Sequence, residues 1–234
     1  MAVRKVPFQI DEWFHCYSRG IDKRTVYESE ADAERFLELL YLANSSEELH
    51  RRDLSHKSEK IITRSRGETL VSIGAYCLMP NHYHLLLKEI REGGITQFMQ
   101  KLGTAYTMFF NAKYERVGGL FTKPFRARHV GDDHYFQRVI DYIHCNPAEL
   151  YEPGWKKGLV RNMDRLENQL LQYRYSSFAD YSGEQRAVVA ILSRDGFDTY
   201  IPTTPKKMLA EARAYYKEIA PYEPLLVTDS KKGS

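Results

Sequence analysis

Nowhere in these 234 residues does an apolar run approach the ~18 residues that a membrane span needs. The opening stretch, MAVRKVPFQIDEWF, lacks the apolar centre of a signal peptide. A soluble, cytoplasmic protein with no membrane partner is therefore expected. Cysteine is scarce: Cys16, Cys77 and Cys145 are the whole set. The count is odd and no C-x-x-C pair occurs, which argues against a disulfide framework and a zinc ribbon. An excess of one charge is also missing. Thirty-four Lys and Arg face 31 Asp and Glu, and a net charge of +3 identifies no partner.

What the chain does have is enough apolar material for a core, at 43% hydrophobic residues, and 17 tyrosines. Charge is uneven along it. Residues 101–130 carry Lys101, Lys113, Arg116, Lys123, Arg126 and Arg128 against the single acid Glu115. Such a cluster can meet a phosphate backbone, although a solvated helix face and loop would look the same.

Periodicity places the elements. Residues 11–19 alternate as a strand, with Trp13, His15 and Tyr17 on one face and Phe14 and Cys16 on the other. Residues 30–43 carry Ala33, Phe36, Leu37 and Leu40 at helical spacing, with Ser29 as N-cap. A long polar loop is expected over 44–68. Two apolar strands follow at 69–79 and 82–89, joined by the turn residues Pro80 and Asn81. A helix is expected over about 95–115, a strand near 126–130 and a helix over 133–146 that Pro147 ends. Residues 150–183 read as loop-rich. From 184 the chain reads as an extension, with one helical stretch at 206–219 and a frayed tail. The order predicts an α+β sandwich, helices on an antiparallel sheet.

Two short patterns carry chemistry. His82 and His84 lie two apart in a strand, so both imidazoles share a face and form a natural divalent-metal clamp. An isolated H-x-H arises often by chance. Tyr142 and Asn146 are one turn apart on a helix and stack on one face, a phenol beside an amide. Taken alone, that pair is an amphipathic helix with a partly exposed tyrosine. Tyr135 is a rival nucleophile, but it lies roughly 10 Å along the axis from Tyr142, too far from Asn146 for both to serve one phosphate.

Several stretches together resemble one family. They are LMPNHYHLLLKE, GGITQFMQKLGTAYTMFFNAKYERVGGLFTKPFRARHV, DYIHCNP and YRYSSFADY, with CYSRGIDKRTVYESEADAERFLELL before them. In order and spacing over about residues 10–183 they are similar to the single-tyrosine HUH transposases, in the branch of REP-associated tyrosine transposases. The 44–68 segment is longer than the family norm, and no motif covers the chain after 184.

The resemblance implies an RRM-like, ferredoxin-like sandwich with helices on one sheet face. It implies a catalytic domain over 1–183 and an extension over 184–234. His82 and His84 match the metal ligands, Asn146 the third ligand and Tyr142 the nucleophile. Mg²⁺ or Mn²⁺ is the implied cofactor, and single-stranded DNA with a hairpin the implied partner, bound by a monomer that associates with the nucleoid. The implied reaction is nicking and joining through a 5′-phosphotyrosine. Candidate DNA contacts are Arg19, Lys101, Lys123, Arg126 and Arg128 for phosphates and Phe121 and Phe125 for stacking on bases. Two other readings remain: a non-catalytic nucleic-acid-binding module on the same fold, and a zinc hydrolase that adds His144 or Cys145 as ligands.

Overall fold

The computed structural model describes residues 7–48 and 66–222. Most of the 44–68 loop therefore lies outside the described residues, although its ends meet where Ser46 N–H donates to the Glu68 carbonyl at 2.8 Å.

Four strands form one antiparallel sheet: β1 (Trp13–Arg19), β2 (Val71–Met79), β3 (His82–Glu89) and β4 (Arg126–Val130). Their spatial order is β2-β3-β1-β4. Two helices connect them, α1 (Glu30–Ala43) after β1 and α2 (Gly94–Lys113) after β3. This β-α-β-β-α-β order is the expected RRM-like sandwich. The pleat sorts the side chains. Phe14, Cys16, Tyr83, Leu85 and Leu87 face α1 and α2, and pack with Phe36, Leu40, Phe98 and Tyr106 in one buried core.

The expectation of helices on one face describes only that half. The opposite face is covered too, by α3 (Asp133–Cys145) and a C-terminal helix described below. Asp132 caps α3 by accepting from Tyr135 N–H at 2.7 Å. Asn146, the C-cap, keeps helical angles although a residue before proline is biased to extended ones, and α3 ends at Cys145, two residues before Pro147. The stretch read as loop-rich holds a short α4 (Ala148–Tyr151), α5 (Met163–Leu171) and a four-residue α6 (Phe178–Tyr181). The YRYSS segment closes the edge of β2: Leu78 N–H donates to Tyr175 and Ser177 N–H to Tyr76. After α7 (Arg194–Thr199) comes α8 (Pro205–Ile219), which lies along α3. Met208, Leu209, Ala212, Tyr215 and Ile219 of α8 join Phe136, Val139, Ile140 and Ile143 of α3 in a second core against Ala75, Cys77 and Leu86 of the sheet.

A bulge between Ile73 and Ala75 sets which residues of β2 face this second core. Gly74 sits at it, and a Cβ there would lie 2.8 Å from the Trp13 ring. Beyond the bulge, Ala75, Cys77 and Met79 face α3 while Tyr76 and Leu78 face α1.

One buried charge marks the α3–α8 layer. Asp141 accepts a hydrogen bond from the Tyr200 hydroxyl at 2.9 Å, while its other oxygen has no partner. Burial pushes its carboxyl from 3.8 up to about 7, against the pull of the Tyr200 bond. A raised carboxylate pKa means that stability present at acid pH is lost as pH climbs from 3.8 through about 7. Asp141→Asn should therefore be more stable than the parent protein at pH 8, by roughly 2–4 kcal/mol, and near parity at pH 4. Urea midpoints at the two pH values test this. A parent protein whose midpoint holds steady relative to the variant would place that carboxylate in its ordinary range.

Candidate active site

The site forms where β3 leaves its turn. Asn81 and Pro80 reverse the chain, and β3 starts at His82, so the alternation that buries Tyr83 and Leu85 under α1 puts His82 and His84 on the α3 side. Their ring centroids are 5.0 Å apart and nearly perpendicular. β1 pairs alongside, with Tyr17 opposite His84 and Arg19 opposite His82.

From above, α3 brings Tyr142, whose ring centroid is 5.4 Å from that of His84. Asn146, one turn on, donates from Nδ2 to the Tyr142 carbonyl at 2.8 Å. The same amide lies close enough to raise the pKa of the His82 ring and to lower that of the Tyr142 phenol. Two imidazoles, a phenol and an amide from residues 82 to 146 thus converge. Only His82 reaches solvent appreciably, at 8% exposure, while Tyr142 is 1% exposed and His84 fully buried.

Electrostatics follow burial. His82 is held down to about 3, chiefly by desolvation, with help from Arg19 and Lys156 and opposition from Asn146. His84 lies well below its ordinary value by desolvation and then by His82, His15 and Lys156. Both rings are therefore neutral, the state in which a nitrogen lone pair can coordinate a cation. Burial pushes the Tyr142 phenol up, and the Asn146 hydrogen bond pulls it partly back.

The donor atoms fit a divalent ion. His82 Nδ1 meets Asn81 Oδ1 at 2.6 Å, so it carries the proton and Nε2 is the lone pair. His84 Nδ1 meets His15 Nε2 at 2.9 Å, while His84 Nε2 is buried without a hydrogen-bond partner. The Asn146 oxygen could supply a third donor. Among the described residues no group of three His, Cys, Asp or Glu is placed to hold a metal, so the set depends on that amide.

The other candidates separate. Arg19 is buried beside His82. Arg126 and Arg128 lie on the site's sheet face, opposite Tyr17 and His15. Arg126 is exposed, but Arg128 is engaged by the Tyr135 hydroxyl at 2.7 Å and Glu218 at 2.5 Å. Lys123 is exposed in the loop before β4. Lys101 sits elsewhere, donating to the carbonyls of Ser45 and Glu47 at 2.6 Å. Phe121 does not offer a face to bases, since it is buried among Phe36, Tyr83 and Tyr106. Phe125 packs at the edge of the same core and stacks on Phe8, centroids 6.4 Å apart. Tyr135 is occupied by Arg128 and Glu218. His144 points to Ser177 Oγ at 2.9 Å and Cys145 is buried in the second core, so neither extends the histidine pair.

Three residues of the site carry no local sequence signal. His15 and Asn81 hold the two histidines from behind. Lys156, paired with Glu149 at 2.5 Å, places a positive charge near both rings.

No curated protein sequence matches the chain. A solved structure described as a REP-associated tyrosine transposase bound to a REP hairpin is similar at 14% identity and a TM-score of 0.47, over 79% of this chain and 86% of that one. A family model described as "Transposase IS200 like" matches residues 37–146, a span that begins in α1 and ends at Asn146. The matched span carries His82, His84, Tyr142 and Asn146.

Proposed function

We propose that this protein is a metal-dependent endonuclease and strand transferase for single-stranded DNA, working through a 5′-phosphotyrosine in transposition or in the processing of repeated hairpin elements. The convergence of Tyr142 and Asn146 on the His82–His84 pair supports it above all. In this reading residues 1–183 carry the chemistry and the chain from 184 supports them. A monomer is the proposed state, as in the branch that the sequence resembles.

His82 Nε2, His84 Nε2 and the Asn146 oxygen would hold Mg²⁺ or Mn²⁺. When bound, the ion neutralises phosphate charge and polarises the scissile P–O bond. This donor set carries no anion, so the charge balance of a divalent ion falls to the substrate phosphate, which suits a phosphodiester ligand. Tyr142 Oη gives up its proton and attacks phosphorus, the bond to the 3′ oxygen breaks, and the proton released by the phenol ends on that oxygen, which leaves as a 3′-OH. The 5′ phosphate stays on the tyrosine. A second 3′-OH reverses the step and joins strands without ATP. Asn146 assists by favouring the phenolate. Arg19 and Lys156 add positive charge where the phosphate arrives. Because Tyr142 is 1% exposed, a phosphate reaches it only after the side chains over it shift.

That burial also favours a second reading, a nucleic-acid-binding module without catalysis on the same fold. Incubation with labelled single-stranded oligonucleotides and Mg²⁺ separates the two. A covalent protein–DNA band is expected on a denaturing gel. It should vanish in Tyr142→Phe, persist in Tyr135→Phe, and be lost in His82→Ala or with chelator. An undiminished band in Tyr142→Phe removes the nucleophile assignment, and full activity in chelator removes the metal.

DNA contacts are tested by salt dependence. Arg19→Ala and Arg126→Ala should each lower the slope of log affinity against log salt for single strands by about 0.7, one phosphate contact apiece. Lys101→Ala, remote from the site, should leave the slope unchanged. Equal slopes for all three variants would place the DNA on another surface.

A further inference from the structure

Behind His84 lies a buried chain of polar atoms that the reaction as described does not use. The Tyr215 hydroxyl is 2.8 Å from His15 Nδ1, and His15 Nε2 is 2.9 Å from His84 Nδ1. All three side chains are fully buried. They come from α8, β1 and β3, brought together across 200 and 69 residues of sequence. The His15 ring also lies against Tyr142, centroids 5.8 Å apart, and the Tyr215 ring at 5.0 Å.

We propose that His15 and Tyr215 are positioning residues that fix the tautomer of His84, so that its Nε2 lone pair is presented to a divalent cation. The inference rests on reading His82, His84 and Asn146 as the metal site. A neutral imidazole has one donor nitrogen and one acceptor nitrogen. If His84 coordinates through Nε2, its proton must sit on Nδ1, and the atom there to accept it is His15 Nε2. His15 then carries its own proton on Nδ1, where the Tyr215 oxygen accepts it. Coordination at one end therefore sets the direction of both hydrogen bonds. The alternative direction, from the Tyr215 hydroxyl to His15 and from His15 to His84, puts a proton on His84 Nε2 and blocks the ligand position. His82 has a simpler arrangement of the same kind, with the Asn81 side-chain oxygen as acceptor. Such outer partners orient a ligand ring and raise its basicity, and their loss commonly weakens metal affinity by about 10–100-fold.

The test uses the full-length protein and Mn²⁺ alone, with free ion followed by electron paramagnetic resonance. His15→Leu, which removes the acceptor, should weaken Mn²⁺ binding by about 10–100-fold. His15→Gln, which returns an amide oxygen near the Nε2 position, should recover most of it. Tyr215→Phe, nearly isosteric, should weaken binding several-fold. Two-bond ¹H–¹⁵N spectra of the Mg²⁺-loaded protein should show His15 and His84 both protonated on Nδ1, with that form of His15 depleted in Tyr215→Phe. A purely structural role for His15 would move neither the glutamine rescue nor the tautomer signals. If the parent protein binds Mn²⁺ and all three variants bind it equally, the relay is overturned and the metal site stands. If His15 carries its proton on Nε2 in the loaded protein, the relay is overturned as well. A parent protein that binds no Mn²⁺ overturns site and relay together.

Discussion

The arrangement depends on the register between β1 and β3. Pleating sends every second side chain of β3 through the sheet, so Tyr83, Leu85 and Leu87 are held in the core under α1 and α2. That anchorage fixes His82 and His84 on the other face, opposite Arg19 and Tyr17 of β1. A slip of one residue would bury two imidazoles among phenylalanines and turn three apolar side chains toward the site. The apolar half of β3 thus enforces the position of its polar half, and the energy that does so comes from burial rather than from the histidines.

The second layer converts that strand into a site. α3 lies over the histidines with Tyr142 and Asn146 on its lower side, and α8 holds α3 down through a shared apolar seam. Because both sheet faces are covered, the polar groups work in a nearly dry environment. There an imidazole stays neutral, a phenol resists ionisation and each hydrogen bond gains weight. The same dryness hides the tyrosine. Preorganisation and access pull against each other here, as they do wherever a charged ligand must enter a packed interior.

Much of the sandwich was legible in the sequence because its signals are local. Alternation marked β1 and β3, helical spacing marked α1, α2 and α3, and Pro147 marked where α3 stops. The four candidate site residues lie on two short patterns that are weak taken singly, and their roles came from the family resemblance rather than from the spacings. What escaped was set by tertiary contact. His15 was read as a strand residue on the right face, but nothing in its neighbours announces a tyrosine 200 residues away. Phe121 looked like a stacking ring in a basic loop, and only its packing on Phe36 and Tyr83 puts it inside. Lys101 carries the same charge as Arg126, yet two carbonyls of the loop after α1 claim it. The chain after 184 showed one amphipathic stretch without a target, and the target proved to be α3, the helix that carries Tyr142 and Asn146.

The span recognised by the family model, 37–146, excludes both β1 and α8. A fragment cut to that span would keep every proposed ligand and the proposed nucleophile, yet lose the sheet's inner strand and the floor beneath α3. For anyone trimming the chain into a compact form, the safe boundaries are set by the seam between α3 and α8, not by where sequence likeness stops.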